Sequence, residues 1–120
     1  MTWDATFDLV IVGSGGGGMV GALAAAEAGA TVLVLEKQER VGGSTAMSGG
    51  VVWMPDNPVM RAAGEVDSYE DAMTHFEAVV GDVGPCSSTT RRHAFLTAGN
   101  EMIGFLERLG VRFSYCRGYS

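Results

Sequence analysis

The chain has 120 residues and a formal net charge of −6, with 47% hydrophobic and 18% charged residues. This composition is typical of globular domains rather than of disordered or fibrous chains. Nucleic acid is not expected as a partner, because binding to phosphates needs a basic face and the chain has no basic cluster beyond Arg91-Arg92. Most of the 18 glycines precede Val51, which indicates close approach of the backbone to a ligand in that half.

The two cysteines, Cys86 and Cys116, are isolated from one another, and the N-terminal residues lack the basic region of a secretory signal. We therefore expect reduced, structural thiols in a cytoplasmic protein. The apolar run that starts at Met19 is interrupted by Glu27, so no transmembrane segment is expected. No histidine, cysteine or acidic residues have the spacing of metal ligands, and no metal site is predicted.

The first third of the chain predicts a β-α-β unit. Residues 6–12 (TFDLVIV) and 31–35 (TVLVL) are short, apolar and β-branched, which is typical of parallel strands buried on both faces. Between them, Gly18 to Gly29 is rich in alanine and suits a helix that stops at Gly29. We expect the two strands to be parallel and the crossover to be right-handed.

A G-x-G-x-x-G pattern, formed by Gly13, Gly15 and Gly18, joins the first predicted strand to the helix. In this context Gly13 permits a tight turn, Gly15 lets the backbone approach a pyrophosphate, and Gly18 lets the helix pack closely on the strand. The helix N-terminus offers free N–H groups to the phosphates. Glu36 ends the second strand, where it would accept hydrogen bonds from a ribose diol and repel a 2′-phosphate. The pattern therefore favours FAD or NAD over NADP.

The middle of the chain predicts shorter elements. Residues 51–54 suit a short strand, and residues 59–63 suit a helical turn inside a loop. Ser68 and Asp71 fit the capping box that begins a helix, and Gly81 ends that helix. Its apolar stripe comprises Ala72, Met73, Phe76, Val79 and Val80.

The last third predicts a helical stretch over residues 88–109. Gly99-Asn100 is expected to break it, with Asn100 capping the second half. Gly110 stops the helix, and residues 111–115 (VRFSY) alternate like a strand. The buried face of the helix is predicted to comprise Phe95, Leu96, Met102, Ile103, Phe105, Leu106 and Leu109.

Two stretches carry a family resemblance. DLVIVGSGGGGMVGALAAAEAGATVLVLEK followed by GGSTAMSGG resembles flavoproteins of the fumarate reductase and succinate dehydrogenase superfamily, and GGSTAMSGGVVWMPDNPVM with GNEMIGFLERLGVRF resembles the 3-ketosteroid dehydrogenases. The resemblance implies an α/β fold, the N-terminal part of a Rossmann-like FAD-binding domain. Residues 1–55 would form the β-α-β unit and a glycine-rich flavin loop, and residues 56–120 an incomplete, mostly helical continuation.

The glycine-rich segment of residues 42–50 could by composition be a flexible linker, although the apolar residues around Trp53 argue against a solvated one. The resemblance instead places Gly43, Ser44 and Thr45 at the FAD pyrophosphate and ribitol, and residues 48–50 near the flavin ring. Ser44 stands where respiratory members carry the histidine that attaches the flavin, so non-covalent FAD is expected. The predicted cofactor-binding residues are Gly13, Ser14, Gly15, Gly16, Gly18, Glu36, Lys37, Gly43, Ser44, Thr45, Ser48, Gly49 and Gly50.

The resemblance implies FAD-dependent dehydrogenation of a carbon–carbon bond next to a ketone, with a small-molecule ketone such as a steroid as substrate. Two alternatives stay open: a fumarate-reductase-like enzyme that works in the reducing direction, and a non-catalytic dinucleotide-binding module. No residue is assigned as catalytic acid or base, and the electron acceptor is not identified. Tyr119 is a weak candidate for a catalytic role, and His75 and His93 are expected on the solvated surface. We expect the chain to be an N-terminal piece that is inactive by itself.

Overall fold

The chain divides into two compact units, Met1–Val52 and Trp53–Ser120. The computed structural model describes residues 3–118. Tyr119, the weak catalytic candidate, lies outside the described residues.

The first unit contains the predicted β-α-β arrangement. Strand β1 (Leu9–Val12) leads into helix α1 (Gly16–Glu27), and strand β2 (Val32–Leu35) follows. The two strands are parallel and pair in register from Leu9 with Val32 to Val12 with Leu35. The parallel pairing and the helix are therefore confirmed, although both strands are shorter than predicted. Gly29, with a φ of +85°, follows the end of α1, as expected for a glycine stop.

The N-terminal ends of the strands are joined by a clamp between Asp8 and Thr31. The Thr31 hydroxyl and N–H donate to Asp8 Oδ2 at 2.6 and 2.8 Å, and the Asp8 N–H donates to Thr31 Oγ1 at 3.1 Å. The Thr31 hydroxyl, aided by its N–H, lowers the pKa of the Asp8 carboxyl below its usual value. These reciprocal bonds fix the register at which the two strands start.

Burial of both strands on both faces is the first prediction that the structure contradicts. Val10 is 50% exposed, Val12 84% and Leu35 48%. Within the described part of the first unit, α1 is the helix that packs on the strands, and one helix covers only one face of a two-stranded sheet. Within the described residues, the second face of the two-stranded sheet is therefore not covered.

The first unit ends with a short helix, α2 (Gly43–Met47), inside the second glycine-rich segment. The second unit contains α3 (Pro58–Ala62), α4 (Tyr69–Val79), a 3₁₀ turn (Pro85–Ser87) and α5 (Thr89–Arg108). Its most buried apolar side chains are those of Met54, Ala72, Leu96, Ile103 and Leu106.

Ser68 is confirmed as the N-cap of α4, but the capping box is only half formed, because the Ser68 N–H donates to Asp67 Oδ1 at 2.8 Å and not to Asp71. Ser68 Oγ accepts a hydrogen bond from the Asp71 N–H at 3.0 Å and donates to Asp71 Oδ2 at 2.8 Å. Gly81, with a φ of +61°, follows the end of the helix. The predicted stripe is only partly buried, because Ala72 is the one buried residue of the helix and Val79 is 67% exposed.

The predicted break in the last helix is wrong, because α5 runs without interruption through Gly99 and Asn100. A Cβ at Gly99 would overlap the methyl group of Met54 and lie 2.6 Å from its sulfur, so the glycine forms a notch that the Met54 side chain fills. The Asn100 amide donates to the carbonyl oxygens of Pro55 at 3.1 Å and of Leu96 at 2.9 Å. Both residues therefore serve packing against residues 54 and 55 instead of ending a helix.

The short strands predicted at residues 51–54 and 111–115 are also wrong. In the first, Trp53 lies against Phe76 and Phe95, with ring centroids 5.3 and 6.1 Å apart, so side-chain packing replaces a hydrogen-bonded ladder. In the second, the Val111 N–H donates to the carbonyl oxygen of Leu106 at 3.0 Å and closes the end of α5.

Candidate cofactor site

The turn between β1 and α1 begins at Gly13, whose φ is +95°. Its N–H donates to the carbonyl oxygen of Leu35 at 2.7 Å, so the turn starts beside the carboxyl end of β2. In open α/β sheets, ligands bind at the carboxyl ends of the strands. The turn and the residue after Leu35 therefore share the edge where a ligand is expected.

The glycines at the N-terminus of α1 differ in how much free space surrounds them. A Cβ added to Gly15 or Gly17 would meet nothing within 4 Å, whereas one at Gly18 would overlap the carbonyl oxygen of Gly13. The Gly16 N–H donates to Thr45 Oγ1 at 3.0 Å, and the N–H groups of Gly17 and Gly18 have no acceptor within residues 3–118. The turn thus packs tightly beneath the helix and leaves room and free donors for an anion at its end.

Ser14 joins the three segments of the site. Its side chain is buried, with 1% exposure. Its hydroxyl donates to Glu36 Oε2 at 2.6 Å and accepts a hydrogen bond from the Gly42 N–H at 2.9 Å. The Ser14 N–H also donates to Glu36 Oε2, at 3.1 Å. One residue therefore connects the β1–α1 turn, the end of β2 and the start of the second glycine-rich segment.

Glu36 directly follows β2 and is held as an anion. The Ser14 hydroxyl, with the N–H groups of Gln38 and Ser14, lowers the pKa of the Glu36 carboxyl to about 2. Glu36 Oε1 accepts from the Gln38 N–H at 2.9 Å. An ionised carboxylate only accepts hydrogen bonds, so Glu36 can bind hydroxyl groups and disfavours a second phosphate. Lys37, the next residue, is exposed.

The second glycine-rich segment packs against the helix N-terminus. Gly42 and Gly43 have φ angles of +111° and +52°, which direct the chain into α2. Thr45 Oγ1 accepts the hydrogen bond from the Gly16 N–H. The backbone of Gly43 also lies close to that of Gly15, since a Cβ added to Gly43 would be 3.5 Å from the Gly15 Cα. These contacts contradict the flexible-linker alternative, because they tie the segment to the β1–α1 turn.

The remaining predicted residues lie on the exposed side of this segment. Ser44 is exposed on α2, and Ser48, Gly49 and Gly50 are exposed beyond it. The Ser48 hydroxyl donates to the carbonyl oxygen of Thr45 at 2.8 Å and accepts from the Gly50 N–H at 3.1 Å. The structure therefore brings Gly13–Gly18, Glu36 and residues 42–45 together, and leaves residues 48–50 at the surface.

Gly42 is a site residue that the sequence reasoning missed. Its N–H binds the Ser14 hydroxyl, its φ is positive, and a Cβ there would overlap the Cβ of Ala46. The doubled glycine after Val41 was the available signal, since two adjacent positive φ values need such a pair.

The other candidate residues belong to the second unit. His75 and His93 are exposed, as predicted, and His93 Nδ1 is 2.8 Å from the Tyr69 hydroxyl. Cys86 and Cys116 are free thiols, and both are exposed, which does not suit a structural role in a core. Between residues 3 and 118 no group of three potential metal ligands occurs. Across the same residues, no helix is long and apolar enough to cross a membrane.

The tight glycine turn, the open helix N-terminus and the anionic residue at the end of β2 define a dinucleotide-binding β-α-β unit. A family model described as an FAD binding domain matches residues 8–118. The chain belongs to this family of FAD-binding domains, which confirms the predicted fold class.

Two curated relatives show which enzymes contain similar domains. The chain is 43% identical over 115 residues to the 3-oxosteroid 1-dehydrogenase of Mycobacterium tuberculosis, an alignment that covers 95% of this chain and 20% of that enzyme. It is 40% identical over 116 residues to the 4-oxocyclohexanecarboxylate 2-dehydrogenase of Sinomonas cyclohexanicum, covering 92% of this chain and 19% of that enzyme. The resemblance to 3-ketosteroid dehydrogenases is therefore confirmed.

The fold has a close counterpart among solved structures. The crystal structure of 3-ketosteroid-delta4-(5alpha)-dehydrogenase from Rhodococcus jostii RHA1, in complex with 4-androstene-3,17-dione, matches with a TM-score of 0.77 and 33% identity. The match covers 94% of this chain and 23% of that one. The chain thus spans about a fifth of the length of the curated relatives it matches.

Proposed function

We propose that this chain is the FAD-binding portion of a flavin-dependent oxidoreductase that dehydrogenates a carbon–carbon bond next to a ketone. The observation that carries the proposal is the meeting of three segments: the open N-terminus of α1, the anionic Glu36 and the second glycine-rich segment. The family of FAD-binding domains supports FAD as the dinucleotide. The two dehydrogenase relatives support the class of reaction.

Different residues of the site would bind different parts of FAD. The N–H groups of Gly17 and Gly18, at the positive end of α1, would hold the pyrophosphate, and the absence of a Cβ at Gly15 lets the phosphates approach. Glu36 would accept a hydrogen bond from the adenosine ribose. Ser44 cannot attach a flavin as a histidine would, so we propose that FAD is bound without a covalent bond. FAD, when bound, supplies the acceptor for a hydride.

The proposed substrate class is a ring ketone. The names of both relatives place an oxo group on the molecule that is dehydrogenated, a steroid in one case and a cyclohexanecarboxylate in the other. A carbonyl group acidifies the neighbouring C–H bond, so removal of that proton and of a hydride from the next carbon gives a conjugated enone. A steroid is thus one candidate within the class, and a single-ring oxo acid is the other.

The proposal is tested on the full-length protein that contains these residues. Acid precipitation of the purified protein should release the flavin into the supernatant, since no covalent bond is expected, and the released flavin should be FAD. With an artificial electron acceptor, the protein should convert a 3-ketosteroid or 4-oxocyclohexanecarboxylate to the conjugated enone, and the matching alcohols serve as the control.

Three outcomes would contradict parts of the proposal. Purified protein without flavin, which also fails to take up added FAD, would refute the cofactor. Oxidation of the alcohols alone would refute the reaction class. Reduction of the enone by a reduced electron donor, with no measurable dehydrogenation, would favour the fumarate-reductase-like alternative.

A further inference from the structure

We propose that Ser14 is a positioning residue: it orients the Glu36 carboxylate for the adenosine ribose and couples that carboxylate to the second glycine-rich segment at Gly42. The inference rests on the proposed FAD binding. It concerns a side chain that is buried beneath the site, with 1% exposure, and so acts through Glu36 rather than by touching the ribose.

The hydrogen-bond directions around the Ser14 hydroxyl support this role. A hydroxyl has one proton to donate and two lone pairs that accept. The Glu36 carboxylate is ionised and only accepts, so the proton points to Oε2, 2.6 Å away. The Gly42 N–H only donates, and it occupies a lone pair at 2.9 Å. Both partners therefore impose the same orientation on the hydroxyl, and neither bond can reverse.

These hydrogen bonds also determine which oxygen of the Glu36 carboxylate can accept a further bond from a ribose hydroxyl. Oε2 accepts from both the hydroxyl and the N–H of Ser14, whereas Oε1 accepts from the Gln38 N–H; the Lys37 N–H makes only the weakest contribution to the carboxylate. A carboxylate has about four acceptor positions, two on each oxygen. Oε1 is thus the oxygen that keeps a free position for a ribose hydroxyl. Without the Ser14 hydroxyl, the carboxylate loses the bond that holds Oε2 inward and can rotate.

A matched control exists at the other end of the same strand pair. The Thr31 hydroxyl also donates to a carboxylate oxygen at 2.6 Å, that of Asp8. Thr31→Val removes this bond while retaining the size and the branching of the side chain. It should destabilise the same β-α-β unit without altering Glu36, and therefore reports the effect of a structural loss alone.

The experiment compares the affinities of the full-length apoprotein for FAD and for an FAD analogue that lacks the adenosine 2′-hydroxyl. A hydrogen bond to a charged group predicts that wild-type protein prefers FAD by roughly ten- to a hundredfold. Ser14→Ala should reduce this preference at least about threefold, and Ser14→Thr, which keeps the hydroxyl, should restore it. Thr31→Val should leave the preference as in wild type. If the alanine variant does not fold, the same preference is measured for Ser14→Cys, whose thiol is similar in size to the hydroxyl group but a much weaker donor.

The outcomes separate this inference from the proposed function. If wild-type protein binds no FAD, the proposed function fails. If it binds FAD, but the alanine and cysteine variants keep the wild-type preference for the 2′-hydroxyl while losing stability, Ser14 is merely structural. Equal loss of preference in Thr31→Val would likewise overturn the positioning role, because that residue does not contact Glu36.

Discussion

Replacing Gly18 with alanine tests whether close packing of α1 shapes the glycine turn. The added Cβ would overlap the carbonyl oxygen of Gly13 and lie 3.3 Å from Cγ2 of Ile11. This carbonyl group cannot simply retreat, because the N–H at the other end of its peptide unit, that of Ser14, donates to Glu36 Oε2 at 3.1 Å. The helix must therefore move away from β1, and the N–H groups at its N-terminus must move with it.

The size of the effect follows from two opposing contributions. Overpacking against a fixed neighbour costs about 1–3 kcal/mol. Alanine is a better helix former than glycine by up to about 1 kcal/mol. The net loss expected for Gly18→Ala is therefore up to about 2 kcal/mol, which corresponds in a chain of this size to a fall in Tm of up to roughly 10 °C.

Gly21→Ala is the matched control on the same helix. A Cβ at Gly21 would lie 3.8 Å from Cδ1 of Ile11, an ordinary van der Waals contact, so only the gain in helix propensity remains. This variant should be more stable than wild type by about 0.5–1 kcal/mol. Thermal and urea unfolding followed by circular dichroism measure both changes. If Gly18→Ala is as stable as Gly21→Ala, the close approach of α1 to the turn is not what requires glycine at position 18.

Three further predictions concern other contacts. Glu36→Gln should lower the urea midpoint of unfolding at pH 6. Because folding depresses the pKa of Glu36 from 4.5 to about 2, the ionised carboxylate stabilises the wild-type fold fully above pH 4.5. The difference between the wild-type and variant midpoints should therefore disappear as the pH falls from 4.5 towards 2. Ser68→Ala should destabilise the chain by about 0.5–2 kcal/mol in urea unfolding, whereas Ser68→Asp, another good N-cap, should retain most of the stability, and equal losses would contradict the capping role. Asn100→Ala should cost about 1–3 kcal/mol in the same assay, since its amide bridges the carbonyl groups of Pro55 and Leu96; a neutral result would show that water replaces the bridge.

Features set by neighbours in sequence could be predicted. The capping pair Ser68 and Asp71 lies three residues apart, and the stops at Gly29, Gly81 and Gly110 each depend on one positive φ angle after a helix. The contacts that form these helix ends all lie within a few residues of one another, so they can be predicted from the local sequence.

Features set by distant contacts could not be predicted. Gly99 and Asn100 are weak helix formers, and only the Met54 side chain and the Pro55 carbonyl, more than 40 residues earlier, explain why the helix continues through them. Residues 51–54 have the composition of a strand, yet a strand also needs a partner; the side chains of Trp53 and Met54 pack on helices of the second unit instead.

The candidate site shows the same division. Gly13, Gly15, Gly18 and Glu36 follow from a known spacing and its physical reasons. The bridging role of Ser14 does not, because its partners lie 22 and 28 residues away and nothing in a lone serine between glycines indicates them. A small polar residue in that position is compatible with many turns.

The notch at Gly99 also affects how readily a methionine of this chain is oxidised. The Met54 sulfur lies in this notch with its residue 5% exposed, whereas Met47, on α2, is 90% exposed. Peroxide converts an accessible thioether into a polar sulfoxide. Of these two methionines, Met47 is therefore the one that peroxide reaches first. Oxidation of Met47 would place a polar sulfoxide in the second glycine-rich segment, beside the candidate cofactor site, whereas Met54 in the second unit is shielded.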